Sequence, residues 1–281
     1  GIGSNLTFKG SGELDNGWSV DLSVAHTNAN AYSNTNVTVG IPGLGDVRID
    51  QGTSGTGIDR MDDMTPNVWE EAYGTGLGTG IDTVTGSSAG TTIEWTPSMT
   101  PDGLTARLAW SPNACHSNSA DKNVGGTCGG ATRSAWDVTL SATSDMIGVD
   151  GLTLYAGMAE VEQFVNATAV SGDKSEKTVG AKYAFGGFTV GYQWSEEDTG
   201  RASTNTMYEN DAYGITFSVN DDLSIGYNHY ESEVSTTTNV TAEASSVQIA
   251  YTVGGLAIRL ADATADNMKY QTAAAFDRYA T

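Results

Sequence analysis

Basic residues are scarce in this chain. Lys and Arg number 13 against 34 Asp and Glu in 281 residues, a formal net charge of −21. A nucleic-acid surface shows itself as a basic patch, so nucleic acid is excluded as a partner. Charged residues of both signs are only 17% of the chain, too few for a disordered acidic tail. Long hydrophobic runs are also missing. No stretch of about 18 apolar residues exists, which excludes a transmembrane helix. Strands escape that exclusion, because a β-strand crosses a bilayer in about 9–11 residues with only alternate ones apolar. Of the two cysteines, Cys115 and Cys128 lie in a polar Gly/Asn/Ser stretch. In an exported protein such a pair is expected to staple a loop as a disulfide, with two free thiols as the alternative. HExxH, GxSxG and P-loop spacings are absent, and the three histidines, His26, His116 and His229, form no motif. No enzyme is expected.

Glycine is abundant, 35 residues against five prolines, and it punctuates segments that alternate with period two. "GLTARLAW" sets Leu104, Ala106, Leu108 and Trp110 against Thr105, Arg107 and Ala109. "GFTVGYQW" sets Phe188, Val190, Tyr192 and Trp194 against Thr189, Gly191 and Gln193. This is the signature of a sheet with one apolar and one polar face. Fourteen such strands are expected, at 4–14, 17–27, 35–42, 45–51, 90–97, 103–111, 133–144, 151–161, 176–185, 187–196, 209–219, 222–232, 244–253 and 255–265. Their connections alternate between tight turns, such as the "GG" at 186 and at 254, and long loops, the longest at 52–89. Such alternation is how outer-membrane barrels are built.

The apolar face either packs on a second sheet, as in a secreted β-sandwich of adhesin type, or meets lipid. Two features favour lipid. Charges gather on the polar faces (Lys9, Arg48, Arg107, Lys182 and Arg259, with Asp50, Glu94 and Asp137 among the acids), and mid-strand apolar faces are nearly free of them. A Lys or Arg facing lipid at mid-bilayer costs about 2–4 kcal/mol. Aromatics also collect at strand ends: Trp18, Phe185 and Phe188 at short turns, Trp110, Trp136 and Trp194 near long loops. They read as two interfacial belts.

One stretch breaks the rhythm. "GIDRMDDMTPNVWEEAYG", residues 57–74, crowds Asp59, Asp62, Asp63, Glu70 and Glu71 around Arg60. Thr65 followed by Pro66 reads as the N-cap and first position of a short helix. Arg60 has Asp62, Asp63 and Glu70 as possible partners, and Arg48 has Asp46 and Asp50. Dense carboxylates also make Ca²⁺ a candidate ligand, with Asp62 and Asp63 or Glu196, Glu197 and Asp198 supplying oxygens, although no EF-hand spacing is present.

Together, "GLGDVRIDQG" and the acidic stretch after it resemble the general bacterial porins, in particular the alphaproteobacterial type. The likeness extends along the chain through its strand rhythm. It implies an all-β fold, an antiparallel transmembrane β-barrel of 16 strands in the outer membrane, with one long loop folded inward as a constriction after the fifth strand. Four strands precede the long loop here and ten follow. The resemblance therefore implies a slightly longer complete chain, with one strand before these fourteen and one after, the latter begun by "QTAAAFDRYAT". It further implies one barrel domain over 1–281, a homotrimer in contact with outer-membrane lipid and lipopolysaccharide, and passive passage of small hydrophilic solutes and ions. The acidic side of the constriction would be Asp59, Asp62, Asp63, Glu70, Glu71 and Asp82. The basic wall would be Lys9, Arg48, Arg107, Lys182 and Arg259, with Arg60 bracing the loop. Excess carboxylates would favour cations.

Overall fold

The computed structural model describes residues 6–26, 34–51, 55–81, 83–114, 132–165, 169–202, 206–235 and 238–280. The strands are β1 (Leu6–Glu13), β2 (Ser19–His26), β3 (Asn34–Ile41), β4 (Gly45–Asp50) and β5 (Thr92–Pro97). They continue with β6 (Leu104–Ser111), β7 (Thr132–Ala142), β8 (Leu152–Gln163), β9 (Lys174–Phe185) and β10 (Phe188–Asp198). The series closes with β11 (Met207–Ser218), β12 (Leu223–Val234), β13 (Val240–Val253), β14 (Leu256–Asp266) and β15 (Arg278–Ala280). They form one sheet in sequence order, β1 to β15, each strand paired with its chain neighbours. The fourteen expected strands are all present, and the short β15 pairs with β14 through Ala263 and Ala280, where the closing stretch is expected to begin a further strand.

This order needs no crossover, because every connection is a hairpin or a loop that returns to the neighbouring position. At the short end the turns rest on glycine. Gly186 and Gly187 between β9 and β10 have φ of +50° and +87°. Two successive positive φ values match the right-handed twist of the flanking strands, and two glycines adopt them without steric cost. The Cys115–Cys128 pair lies outside the described residues.

Contacts gather the chain into two compact units. One comprises Gly1–Arg60, Thr85–Ser141 and Gly157–Lys177; the other comprises Met61–Val84, Ala142–Ala156 and Thr178–Thr281. Within each, burial is inverted relative to a water-soluble protein. In the first, Asp50, Glu94, Asp137 and Glu176 are buried, while Ile49, Ile93, Leu108, Trp110 and Leu140 are exposed. In the second, Gln193, Asn228, Ser232 and Gln248 are buried, while Ile215, Ile225, Val247, Ile249 and Leu260 are exposed. Large apolar side chains along the outer faces of many strands are far more than the scattered exposure a soluble surface shows. A lipid solvent accounts for them. Tyr183, Phe185, Phe188 and Phe217 then stack in series at the short-turn end of β9–β11, with ring centroids 5.3, 5.7 and 4.3 Å apart, an aromatic girdle of the kind that marks a membrane interface.

Candidate functional site

The connection between β4 and β5 lies against the polar face of the strands, and the two units hold different parts of it. In the first unit, three wall carboxylates grip its ends. Glu94 on β5 accepts the Gly57 amide at 2.7 Å and binds Arg60 through two nitrogens, Nη2 to Oε1 at 2.6 Å and Nε to Oε2 at 3.2 Å. Asp137 on β7 accepts the amides of Ile58 at 3.0 Å and Ser87 at 2.9 Å, and the Ser87 hydroxyl at 2.8 Å. Glu176 on β9 accepts the amides of Thr85 and Gly86 at 2.9 and 2.6 Å and pairs with Lys174 at 2.6 Å.

These amides belong to the starts of two 3-10 turns, Gly57–Met61 and Gly86–Ala89. The first amides of any helical turn lack an internal partner and point outward. A carboxylate there satisfies them and is favoured by the local dipole. Gly57 and Gly86 both have positive φ, +58° and +54°, and a β-carbon on either would collide with the Asp137 carboxylate. Glycine is required at both positions for two separate reasons.

In the second unit, amide and hydroxyl side chains do the holding. Gln193 on β10 accepts from the Met64 amide at 3.0 Å, donates to the Met61 carbonyl at 2.6 Å, and receives the Tyr155 hydroxyl at 3.0 Å. Gln248 on β13 accepts from the Trp69 amide at 3.0 Å and donates to the Glu70 carbonyl, which Asn228 also reaches at 3.3 Å. Below them Ala72 packs with Tyr230, Ala244, Ala265 and Met268, flanked by Tyr73, Leu77 and Ile81. Tyr73 meets Tyr230 edge-on at 4.8 Å.

The expected helix at Thr65–Pro66 does not form. Residues 65–71 are irregular, followed by a 3-10 turn at Ala72–Gly74. The Thr65 hydroxyl, which would have capped that helix, is 2.5 Å from the Tyr230 hydroxyl instead. Pro66 packs so closely on β10 and β11 that a β-carbon at Gly191 or Gly214 would collide with it. Tertiary contact outweighed a local capping signal. Among the described residues the α-helical turn falls elsewhere, at Ser144–Ile147 in the connection between β7 and β8.

The acids read from the sequence are placed as follows. Asp59 accepts the Gly55 amide. Asp63 lies within electrostatic range of Lys182, Tyr155, Tyr73, Tyr230 and Glu71. Asp62 acts on Tyr73 and Tyr230. Glu71 accepts from the Asn67 side-chain amide at 3.0 Å. Burial, and then a hydrogen bond with Glu70, push the Glu71 carboxyl up to about 8. Burial and the neighbouring Asp62 push the Tyr73 phenol up as well. Asp82 lies outside the described residues. Arg60 takes a wall partner, Glu94, in place of the loop acids Asp62, Asp63 or Glu70.

The basic residues divide. Arg48 pairs with Asp50 at 2.5 Å, one of the two neighbours the sequence offered. Arg107 is in electrostatic range of Arg60 and Glu94. Lys9 is exposed on β1, opposite Ser23, and Arg259 is exposed on β14, opposite Ala250. Of the Ca²⁺ candidates, one group lies in a strand. Glu196, Glu197 and Asp198 all lie in β10, with Glu197 buried on the polar face and its two neighbours on the other. Glu197 therefore points away from Glu196 and Asp198. Glu176, Gln193, Asn228 and Gln248 went unrecognised as loop-holding groups. Their only signal in the sequence is a polar residue at a polar-face register position.

An inverted antiparallel sheet with a long loop pinned on its polar face defines an outer-membrane β-barrel of the channel-forming class. The family profile described as Gram-negative porin matches residues 2–256, and the chain belongs to that family. It is a porin of the bacterial outer membrane. No curated protein sequence matches it. Among solved structures, it is similar to OmpF of Salmonella typhi, in complex with daunomycin, at 11% identity and a TM-score of 0.67, covering 99% of this chain and 87% of that one. It is also similar to the anion-selective porin of Comamonas acidovorans, at 14% identity and a TM-score of 0.63, covering 93% and 78%. OmpT of Vibrio cholerae, an outer membrane protein, follows at 13% identity and 0.61, covering 94% and 84%. At such identities these likenesses speak for the fold.

Proposed function

We propose that this porin is a single barrel domain that passes small hydrophilic solutes and ions by passive diffusion through a water-filled, cation-preferring pore. It would work as a homotrimer embedded in outer-membrane lipid and lipopolysaccharide. The observation that carries the ion preference is the charge balance of the β4–β5 connection. Residues 52–89 hold six carboxylates (Asp59, Asp62, Asp63, Glu70, Glu71 and Asp82) and one cation, Arg60. That cation is bound by Glu94. On the polar face Arg48 and Lys174 likewise sit against Asp50 and Glu176. Rings of one charge sign set selectivity in pores of this kind.

Lys9, Arg107, Lys182 and Arg259 would line the basic side of the path, where opposed charges orient water and polar solutes. The name of the Comamonas protein states anion selectivity, so the preference must come from side chains, not from the fold.

Reversal potential in a planar bilayer under a salt gradient tests this. Cation preference is expected, and it should weaken when Asp62→Asn, Asp63→Asn, Glu70→Gln and Glu71→Gln are combined. An unchanged reversal potential in that variant would remove these acids from the selectivity mechanism.

A further inference from the structure

On the outer face of the second unit, away from the loop, one group of side chains has metal-ligand chemistry. His229 and Glu231 are two residues apart on β12 and so share a face. Glu243 stands directly opposite Glu231 on β13. One ligand atom from each of the three lies within 4.8 Å of the others, the one such group of His, Cys and carboxylate side chains among the described residues. His229 Nε2 is 3.0 Å from Glu231 Oε1. Two ligands of a tetrahedral ion bound at about 2.0–2.2 Å stand roughly 3.4 Å apart, so this pair is already near its liganded spacing. The imidazole is held against the Tyr213 ring, centroids 5.0 Å apart, and its Nδ1 is buried without a hydrogen-bond partner. Nε2 is therefore the edge left for a ligand.

Further carboxylates flank the group on the neighbouring strands. Asp211 stands opposite Glu231 on β11, and Asp266 stands opposite Glu243 on β14. Asp211, Glu231, Glu243 and Asp266 thus make a row of directly opposed carboxylates, an arrangement that destabilises a sheet. The strands β10–β14 contain one Lys or Arg, Arg259. It sits opposite Ala250, whose side chain shares the other face with buried Gln248. No Lys or Arg of these strands can relieve the row.

We infer that His229, Glu231 and Glu243 bind a divalent transition cation of the zinc class on the outer face, at the long-loop end of β12 and β13. The imidazole sets the class: nitrogen suits zinc, whereas Ca²⁺ and Mg²⁺ take oxygen alone. The ion would neutralise the centre of the carboxylate row.

The test is equilibrium dialysis of the detergent-solubilised protein against Zn²⁺, with bound metal counted by mass spectrometry. About one equivalent is expected to stay bound in the presence of millimolar Ca²⁺ and Mg²⁺. His229→Ala, and separately Glu231→Gln with Glu243→Gln, should each weaken binding at least tenfold. Single-channel conductance should match the parent protein in both variants, which shows that they fold and separates this site from the pore reading. Absence of zinc in the parent protein, parent-like binding in the variants, or displacement of zinc by Ca²⁺ would each overturn the assignment.

Discussion

Arg60 and Glu94 form a two-pronged ion pair, with Nη2–Oε1 at 2.6 Å and Nε–Oε2 at 3.2 Å, that fastens the start of the β4–β5 connection to β5. Glu94 is almost fully buried, and its Oε2 also accepts the Gly57 amide. Arg60→Ala leaves that carboxylate with one partner in place of two. A buried charged group stripped of a partner costs about 1–3 kcal/mol. A chemical denaturation curve is expected to show a loss in this range. Arg60→Lys is expected to recover only part of it, because an ammonium cannot grip both oxygens in the same plane.

Gln193 carries the corresponding role in the second unit with no charge at all. Its amide serves the Met64 amide and the Met61 carbonyl together. Gln193→Leu keeps the volume but orphans both backbone groups, so about 1–3 kcal/mol of destabilisation is expected. Gln193→Glu restores an acceptor for Met64 but removes the donor for Met61. It is expected to fall between the parent and the leucine variant in the same denaturation assay.

Pro66 reaches β10 and β11 only because Gly191 and Gly214 have no side chains. Gly214→Val should therefore push residues 61–71 off the wall. Faster proteolytic cleavage within that segment and a changed single-channel conductance are the expected signs. Gly172→Ala is the control, since a β-carbon there meets nothing within 4 Å. A Gly214→Val protein with parent-like cleavage and conductance would show that the close approach is not needed.

Glu71 gives the loop a pH dependence. Its carboxyl is raised from an ordinary 4.5 to about 8, chiefly by burial. Between those values the folded chain holds a proton that the unfolded chain releases, so stability falls as pH rises. The contribution is complete below about 4.5 and gone once pH passes about 8. Above that the loop also gains a negative charge. Thermal melts across pH 4 to 9 are expected to show a decline that Glu71→Gln flattens, and cation preference in the parent protein is expected to rise above pH 8.

Much of the architecture was legible in the chain itself. Period-two alternation locates strands because successive side chains must point to opposite faces. An apolar face free of mid-strand charge announces lipid, and glycine pairs mark hairpins because few other residues accept positive φ. The acidic loop was legible for a similar reason: its composition breaks the alternation on either side.

What the tertiary structure decided is how that loop is held. Thr65 and Pro66 carry a helix-start signal, yet the Thr65 hydroxyl goes to Tyr230, 165 residues away, and the helix is lost. Arg60 passes over the acids beside it in sequence for Glu94 on the wall. Glu176, Gln193 and Gln248 give no local sign of their partners, because nothing within a strand records which distant backbone amide will arrive over it. Local propensity amounts to tenths of a kilocalorie per residue, whereas a buried amide left unpaired costs about 1–3 kcal/mol. The sequence by itself determined the strands and their faces, through a geometry that repeats every two residues. Only the fold decided which polar side chains of the wall meet the loop, since that pairing is made across the sheet and not along the chain.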